Sequence, residues 1–372
     1  MPDQDYIVAQ RIRLGGEAEQ LSVTVDDGRV LRFDAADAKT RPLTDVLRSL
    51  EALGHPAYLI LADDVITGVR VPAVGRVEQL VDATDPAGPR YVQLDTTQAR
   101  HVLLPEADDR FGVVIRQAAS DHSPVLLTSD DRGVILDVRA WEPGPDDGPR
   151  PPLPPFPPIG PVIPQWLRWI PFIKRIWPWL YWLYWPWWPW WWFHGISPAH
   201  AQQVFDAMSA TSCAPLTVPA PCIPFLYPDD GCWARAHEMC RLMINMGLSP
   251  RKIWIDHSAG YWLTVATKNS PNCQVTWGWH VAPTLLVRTP WFFFGQPRVI
   301  DPSLFTTPVS EATWKGVQGD PGATLTPTRA DQFWHGGGTD PTYAQSNAIL
   351  AQYRAALRAR SLQDGPPPYA YC

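Results

Sequence analysis

The chain has 372 residues and a net charge of −6, long enough for two ordinary domains with separate cores. The acidic balance and the lack of a basic tract argue against nucleic acid as a partner, because nothing would neutralise phosphates. The 42 prolines and 20 tryptophans concentrate in the middle of the chain and describe a segment rather than a fold.

The N-terminal MPDQDYIVAQRIRLGG has no apolar core region and no small-residue cleavage site. No Sec signal is therefore expected, and the compartment stays open between cytoplasm and a non-Sec export route. Residues 1–142 read as an α+β domain. LSVTVDD and RVLRFD are strand-like. TRPLTDVLRSLEALGH sets Leu43, Val46, Leu47 and Leu50 at helical spacing. AYLILADD and ITGVRVP follow as two strands around an acidic turn. The order then recurs: RHVLLPE, the helix-like DDRFGVVIRQAAS, and VLLTSDD with VILDVRAW around a turn at Asp131–Gly133. This is a weak strand–helix–hairpin repeat. His101 and His122 stand alone, without ligands at metal spacing, and no site assembles here. The domain is expected to recognise, position or cover something.

Residues 143–195 form a Pro/Trp-rich linker. PGPDDGPRPPLPPFPPIGPVIPQ, 143–165, favours polyproline II and acts as a semi-rigid spacer. IWPWLYWLYWPWWPWWWF, 176–193, has the length of a membrane span. Pro178, Pro186 and Pro189 would break a spanning helix, and Trp and Tyr prefer the headgroup interface. The run resembles Trp/Pro-rich membrane-active peptides of the indolicidin type. Three readings stay open: a membrane-surface contact through 176–193, packing over the flanking domains or the cleft, and a disordered linker.

Residues 196–372 carry the chemistry. All six cysteines lie here, and their even number permits disulfides without pairing them. GCWARAHEM reads as a helix start, capped by Asp229 or Asp230 and ended near Gly247 and Pro250. Cys232, Ala236, Met239, Cys240, Met243 and Ile244 share its buried face. Cys232 sits where the helix dipole and free N–H groups favour a thiolate and stabilise an oxyanion. Cys240 reads as core or as half of a disulfide. His237, five residues on, points about 140° away from Cys232. His257 ends a strand-like run, and His335 opens HGGG, read as a flexible loop. His280 lies in QVTWGWHVAPTLLV, where period two puts it on a face with Thr276, Gly278 and Ala282. Those small neighbours leave room for a cysteine and a substrate side chain. Asp301 ends the next strand, placed to orient an imidazole; a simple turn aspartate before Pro302 is the plain alternative. Trp233 and Trp279 are candidate cleft walls or core residues. No metal or cofactor is expected: there is no CxxC, and Cys232, His237 and Cys240 lack a second ligand pair.

DDGCWARAHEM, WGWHVAP and VIDPSLFTTPVS together closely resemble the protein-glutamine glutaminase family, over roughly 222–315. In that family the blocks read approximately DGCYARAHKM, YHVA and IDPSLF. The resemblance implies a papain-like or transglutaminase-like α+β core. It implies deamidation of glutamine side chains in proteins or peptides through a cysteine thioester, with Cys232, His280 and Asp301 as the triad. Family members typically carry a pro-region that blocks the cleft, a role the resemblance suggests for residues 1–195. It also suggests a structural bridge at Cys273, with no partner assigned. A transglutaminase-like acyl transferase, a cysteine protease and a membrane-associated effector share enough chemistry to stand as alternatives.

Overall fold

The computed structural model describes residues 5–17, 20–34, 37, 40–82, 88–142, 195–289 and 292–372. Most of the linker, including 176–193, lies outside them.

Six strands and one helix open the chain: β1 (Tyr6–Ala9), β2 (Ile12–Glu17), β3 (Gln20–Val25), β4 (Val30–Asp34), α1 (Leu43–Leu53), β5 (Ala57–Ala62) and β6 (Val65–Arg70). In β4 the sequence VLRFD alternates outward and inward, sending Leu31 and Phe33 to the core. The sheet order is β1-β5-β6-β4-β3-β2. Helix α1 packs Leu43, Val46, Leu47 and Leu50 into this core, the face its spacing marks.

A second unit follows: β7 (Ala73–Val81), β8 (Arg90–Leu94), β9 (Arg100–Leu103), α2 (Val113–Asp121), β10 (Pro124–Ser129) and β11 (Ile135–Ala140), in the order β11-β10-β7-β8-β9. Both units place a helix between strands and a closing hairpin. Their sheets are joined differently. Hairpin β5–β6 meets β4 in parallel at Arg32 and Val65, whereas β10 meets β7 antiparallel. The recurrence is one of element order, not of sheet topology.

The C-terminal domain contains α3 (Pro198–Ser209), α4 (Cys232–Asn245), β12 (Arg251–Asp256), β13 (Leu263–Ala266), β14 (Gln274–Trp277), β15 (Trp279–Thr289), β16 (Phe292–Val299), β17 (Val309–Ser310), α5 (Glu311–Gly316), β18 (Thr324–Arg329), β19 (Gln332–Trp334), β20 (Gly337–Thr339) and α6 (Ala344–Asp364). Its main sheet, β17-β16-β15-β12-β18, is antiparallel throughout. Helix α4 packs on β15. Nearly every side chain from Cys232 to Cys240 is buried, while Ile244, expected on the buried face, is 47% exposed. The amphipathic reading thus underestimates how deep the helix start lies. The HGGG stretch is not a loose loop. His335 and Gly336 turn the β19–β20 hairpin, with Gly336 at φ 79, and His335 stacks on Trp279 at 4.8 Å and bonds Asp256 at 2.5 Å.

Helix α6 joins the two halves. Its Leu350 and Tyr353 enter the C-terminal core, while Ala355 and Ala359 enter the core of the first sheet. Arg360 reaches back to Asp229 at 2.6 Å, and Arg358 pairs with Asp45 of α1 at 2.8 Å. Two disulfides resolve the open pairing: Cys213–Cys222, and Cys273–Cys372, which ties the chain end to the loop before β14. Cys232 and Cys240 are free and buried.

The entry to α4 rests on Gly231. Its φ of 79 lies in the left-handed region, and a side-chain carbon there would collide with the Tyr353 ring. Backbone strain and the clash act together. Gly231→Ala is expected to destabilise the protein by more than about 2 kcal/mol, read as a lowered thermal midpoint. An unchanged midpoint would show that α6 yields easily at Tyr353.

Candidate active site

The start of α4 brings the first functional group into place. Neither Asp229 nor Asp230 caps the helix; the Ncap residue is Gly231, with no side-chain bond. The Asp230 carboxylate instead accepts from the N–H groups of Gly231 and Gln98, both at 2.9 Å, and from the Tyr353 hydroxyl at 2.7 Å. Burial lifts its carboxyl to about 6 despite these donors. Asp229 turns to Arg360, and its backbone carbonyl accepts from the Trp277 indole at 3.0 Å. The two acids are thus occupied with long-range partners, and the first helical N–H is left for another group.

That group is a glutamine from the N-terminal domain. Gln98, in the corner between β8 and β9, is fully buried, and its Oε1 accepts from the backbone N–H of Cys232 at 3.2 Å. Its Nε2 donates to the Pro228 carbonyl at 3.4 Å. A donor at one end and an acceptor at the other fix which way the carboxamide points. Beside it, Gly278 N–H donates to the Gln98 carbonyl at 3.0 Å, and Ala99 bridges to Trp277. Residues 1–142, in which the sequence assembles no site of their own, thus place one side chain against the start of α4. The one signal available was QLDTTQAR, two glutamines in a chain whose resemblance names glutamine as the target.

Cys232 is 1% exposed. It packs in the same core cluster as Val281 of β15. Burial pushes the thiol well above its ordinary value; Arg235 opposes this and Asp230 adds to it. The dipole argument for a thiolate is outweighed while the site is covered. Helix termini are worth about 0.3–2 kcal/mol, against several kcal/mol for burying an unpaired charge.

His280 precedes Val281 on β15, opposite Ile255 of β12. Its Nε2 bonds Asp301 Oδ2 at 2.9 Å, and the Trp314 indole donates to the same oxygen at 2.9 Å. Burial alone would raise the Asp301 carboxyl. The hydrogen bond and attraction to His280, with Trp314, hold it below the ordinary 3.8. A carboxylate on Nε2 fixes the tautomer, leaving Nδ1 as the unprotonated nitrogen of the neutral ring. That Nδ1 is buried with no hydrogen-bond partner.

The expected surroundings of the ring are corrected. Gly278 is a bend that ends β14, so the alternation does not run from Trp277 to Trp279. Trp277 falls to a different face and stacks on His280 at 4.3 Å, with Trp314 at 5.5 Å. The ring is flanked by indoles rather than by small residues. The space that Gly278 leaves is taken by the carboxamide of Gln93, which a side-chain carbon at 278 would strike. Trp233 and Trp279 do not wall a cleft here. They are 1% and 3% exposed and pack on each other at 5.5 Å, with Trp334 and Trp254, because both project into the core between α4 and the sheet.

His237 points away from Cys232, as its helical offset dictates, and contacts Lys252 at 3.0 Å and the Asp340 carbonyl at 3.3 Å. Burial, aided by Lys252, lowers it to about 4. His257 stacks on Trp262 at 5.0 Å. Among the described residues no cluster of His, Cys, Asp and Glu is arranged to hold a metal ion.

Residues 201–318 match the family model described as glutaminase. That span includes Cys232, His280 and Asp301. The chain has no significant match among curated proteins. Among solved structures it is similar to pro-protein-glutaminase, at 21% identity over 76% of this chain and 91% of that one, TM-score 0.48. It is also similar to protein-glutaminase from Chryseobacterium proteolyticum, at 27% identity over 41% and 85%, TM-score 0.36. Over residues 201–318, which lie in the C-terminal domain, the chain is similar to the glutaminase family.

Proposed function

We propose that the chain is a protein-glutamine deamidase, converting glutamine side chains of proteins or peptides to glutamate and ammonia, with Cys232, His280 and Asp301 as its catalytic groups. The observation that carries the assignment of roles is the His280–Asp301 bond at 2.9 Å, which leaves Nδ1 without a partner on the strand whose next residue, Val281, shares a core cluster with Cys232. The scaffold supporting it is a cysteine at a helix N-terminus packed on an antiparallel sheet that carries the histidine, the arrangement of papain-like enzymes.

Cys232 passes its proton to His280 Nδ1 and attacks the side-chain amide carbon. The developing oxyanion is held by the Cys232 backbone N–H, already engaged by an amide oxygen in the covered state. His280 protonates departing ammonia, then takes a proton from the water that opens the thioester. Asp301 holds the ring in the required tautomer, itself fixed by Trp314.

The aromatic run 176–193 fits an interfacial membrane contact, bringing this domain to proteins at a lipid surface.

Three outcomes are expected. Cys232→Ala and His280→Ala each lower ammonia release from a glutamine peptide by about 10⁴-fold or more, and Asp301→Asn by about 10²–10⁴-fold. Retained activity in Cys232→Ala would refute the assignment. For stability, Asp301 has a depressed carboxyl, so its contribution is present above pH 3.8 and is lost as pH falls through its lower folded value. The difference in thermal midpoint between the parent chain and Asp301→Asn should shrink on acidification below pH 3.8; a constant difference would contradict the pairing. Deleting 176–193 should reduce co-flotation with liposomes, and equal flotation would dismiss the membrane contact.

A further inference from the structure

The corner between β8 and β9 does more than cover the cleft. It presents a primary amide, the functional group the proposed enzyme attacks, with its oxygen on the N–H that would stabilise an oxyanion. The amide is held at every polar end. Cys232 N–H and the Pro228 carbonyl take the side chain, while Asp230 and Gly278 take the backbone of the same residue. Around it the corner is clamped: Ala99 bridges to Trp277, the Arg100 guanidinium lies 4.3 Å over Tyr91, and Tyr91 meets Trp262 at 6.3 Å. A cover needing only bulk could carry any apolar side chain here. This one carries a glutamine whose carboxamide is fully sequestered beside the nucleophile.

We propose that Gln98 is a substrate in cis: Cys232 deamidates it, leaving glutamate at position 98 of the same chain. The inference rests on the deamidase reading above. The chemistry balances with water alone. The Cys232 sulfur bonds to the Gln98 side-chain carbonyl carbon as the C–N bond breaks. The thiol proton, carried by His280, leaves with nitrogen as ammonia. Water then cleaves the thioester, returning the thiol and producing a carboxyl group. A cavity of about 180 Å³ between the domains, lined by residues including Ala99, Arg100, Asp229 and Asp230, brings solvent to the back of this corner. The reaction is slow because burial keeps the thiol protonated.

Its product weakens the contact that made it. Glutamate has no N–H for Pro228, and places an oxygen against that carbonyl instead. It also adds a negative charge beside Asp230, whose carboxylate lies 2.9 Å from the backbone nitrogen of the same residue. Self-deamidation is thus a single-turnover step that loosens the N-terminal domain from the cleft.

The test follows position 98 by peptide mass mapping of the full-length chain, from purification through days of incubation at mildly alkaline pH. The parent chain is compared with Cys232→Ala and Cys232→Ser. Conversion to glutamate in the parent, absent from both variants and absent at the buried Gln93, supports the inference. Conversion at equal rate in the cysteine variants would show spontaneous hydrolysis and overturn it, as would glutamine persisting in the parent. A parallel arm measures ammonia release from a free glutamine peptide by the Gln98→Ala chain. Losing both side-chain bonds should raise its initial rate about tenfold or more over the parent. Active Gln98→Ala with unconverted Gln98 in the parent sinks the cis reaction and leaves the deamidase standing; an inactive Gln98→Ala chain together with unconverted Gln98 sinks both.

Discussion

A helix that begins at a buried cysteine has an N–H group that must find a partner, and here that partner comes from another domain. Asp229 and Asp230 stand where a capping residue belongs, yet both carboxylates are turned elsewhere. The positive φ of Gly231 places Cys232 N–H toward Gln98 and the Asp230 carboxylate toward Tyr353. A side-chain cap from the same segment would have taken the N–H that Gln98 occupies. Without one, the buried N–H needs an acceptor from elsewhere in the chain.

The rest of the architecture makes that cover stable. Helix α6 lies in both cores, and its Tyr353 and Arg360 hold the two aspartates that precede the cysteine. The Cys273–Cys372 disulfide anchors the chain beyond α6 to the loop that leads into Trp277 and the histidine strand. The N-terminal sheet, the cover and the start of α4 are therefore braced from one element. Loss of packing at α6 would reach Cys232 through Tyr353 and Asp230.

Local chemistry was legible where it is local. The helix from Cys232, its termination near Gly247, the α1 leucine face and the strand carrying His280 all follow from residue spacing and helix-ending glycines, although the cap expected of Asp229 or Asp230 does not form. The acid at the end of the next strand is likewise where the sequence puts it, and the resemblance marked the same residues. What failed depended on one glycine or on distant partners. Gly278 breaks the alternation and turns Trp277 onto the imidazole, a result no period-two count contains. The Trp314 indole reaches Asp301 from a separate helix, and Gln98 reaches Cys232 across 134 positions. For Trp233 and Trp279 the sequence left a cleft wall and the core both open, and their burial decides for the core.

The burial of Cys232 bears directly on the role proposed for it. Desolvation dominates the thiol, so the helix terminus alone does not ionise it in the covered state. The base is nevertheless complete: Asp301 and Trp314 fix one nitrogen of the ring, and the other has no competing partner. On the deamidase reading, water reaching Cys232 would lower the cost of a thiolate at the start of α4. In the proposed enzyme, a cover that controls hydration would therefore govern the reactivity of Cys232 through desolvation, the largest influence on its thiol.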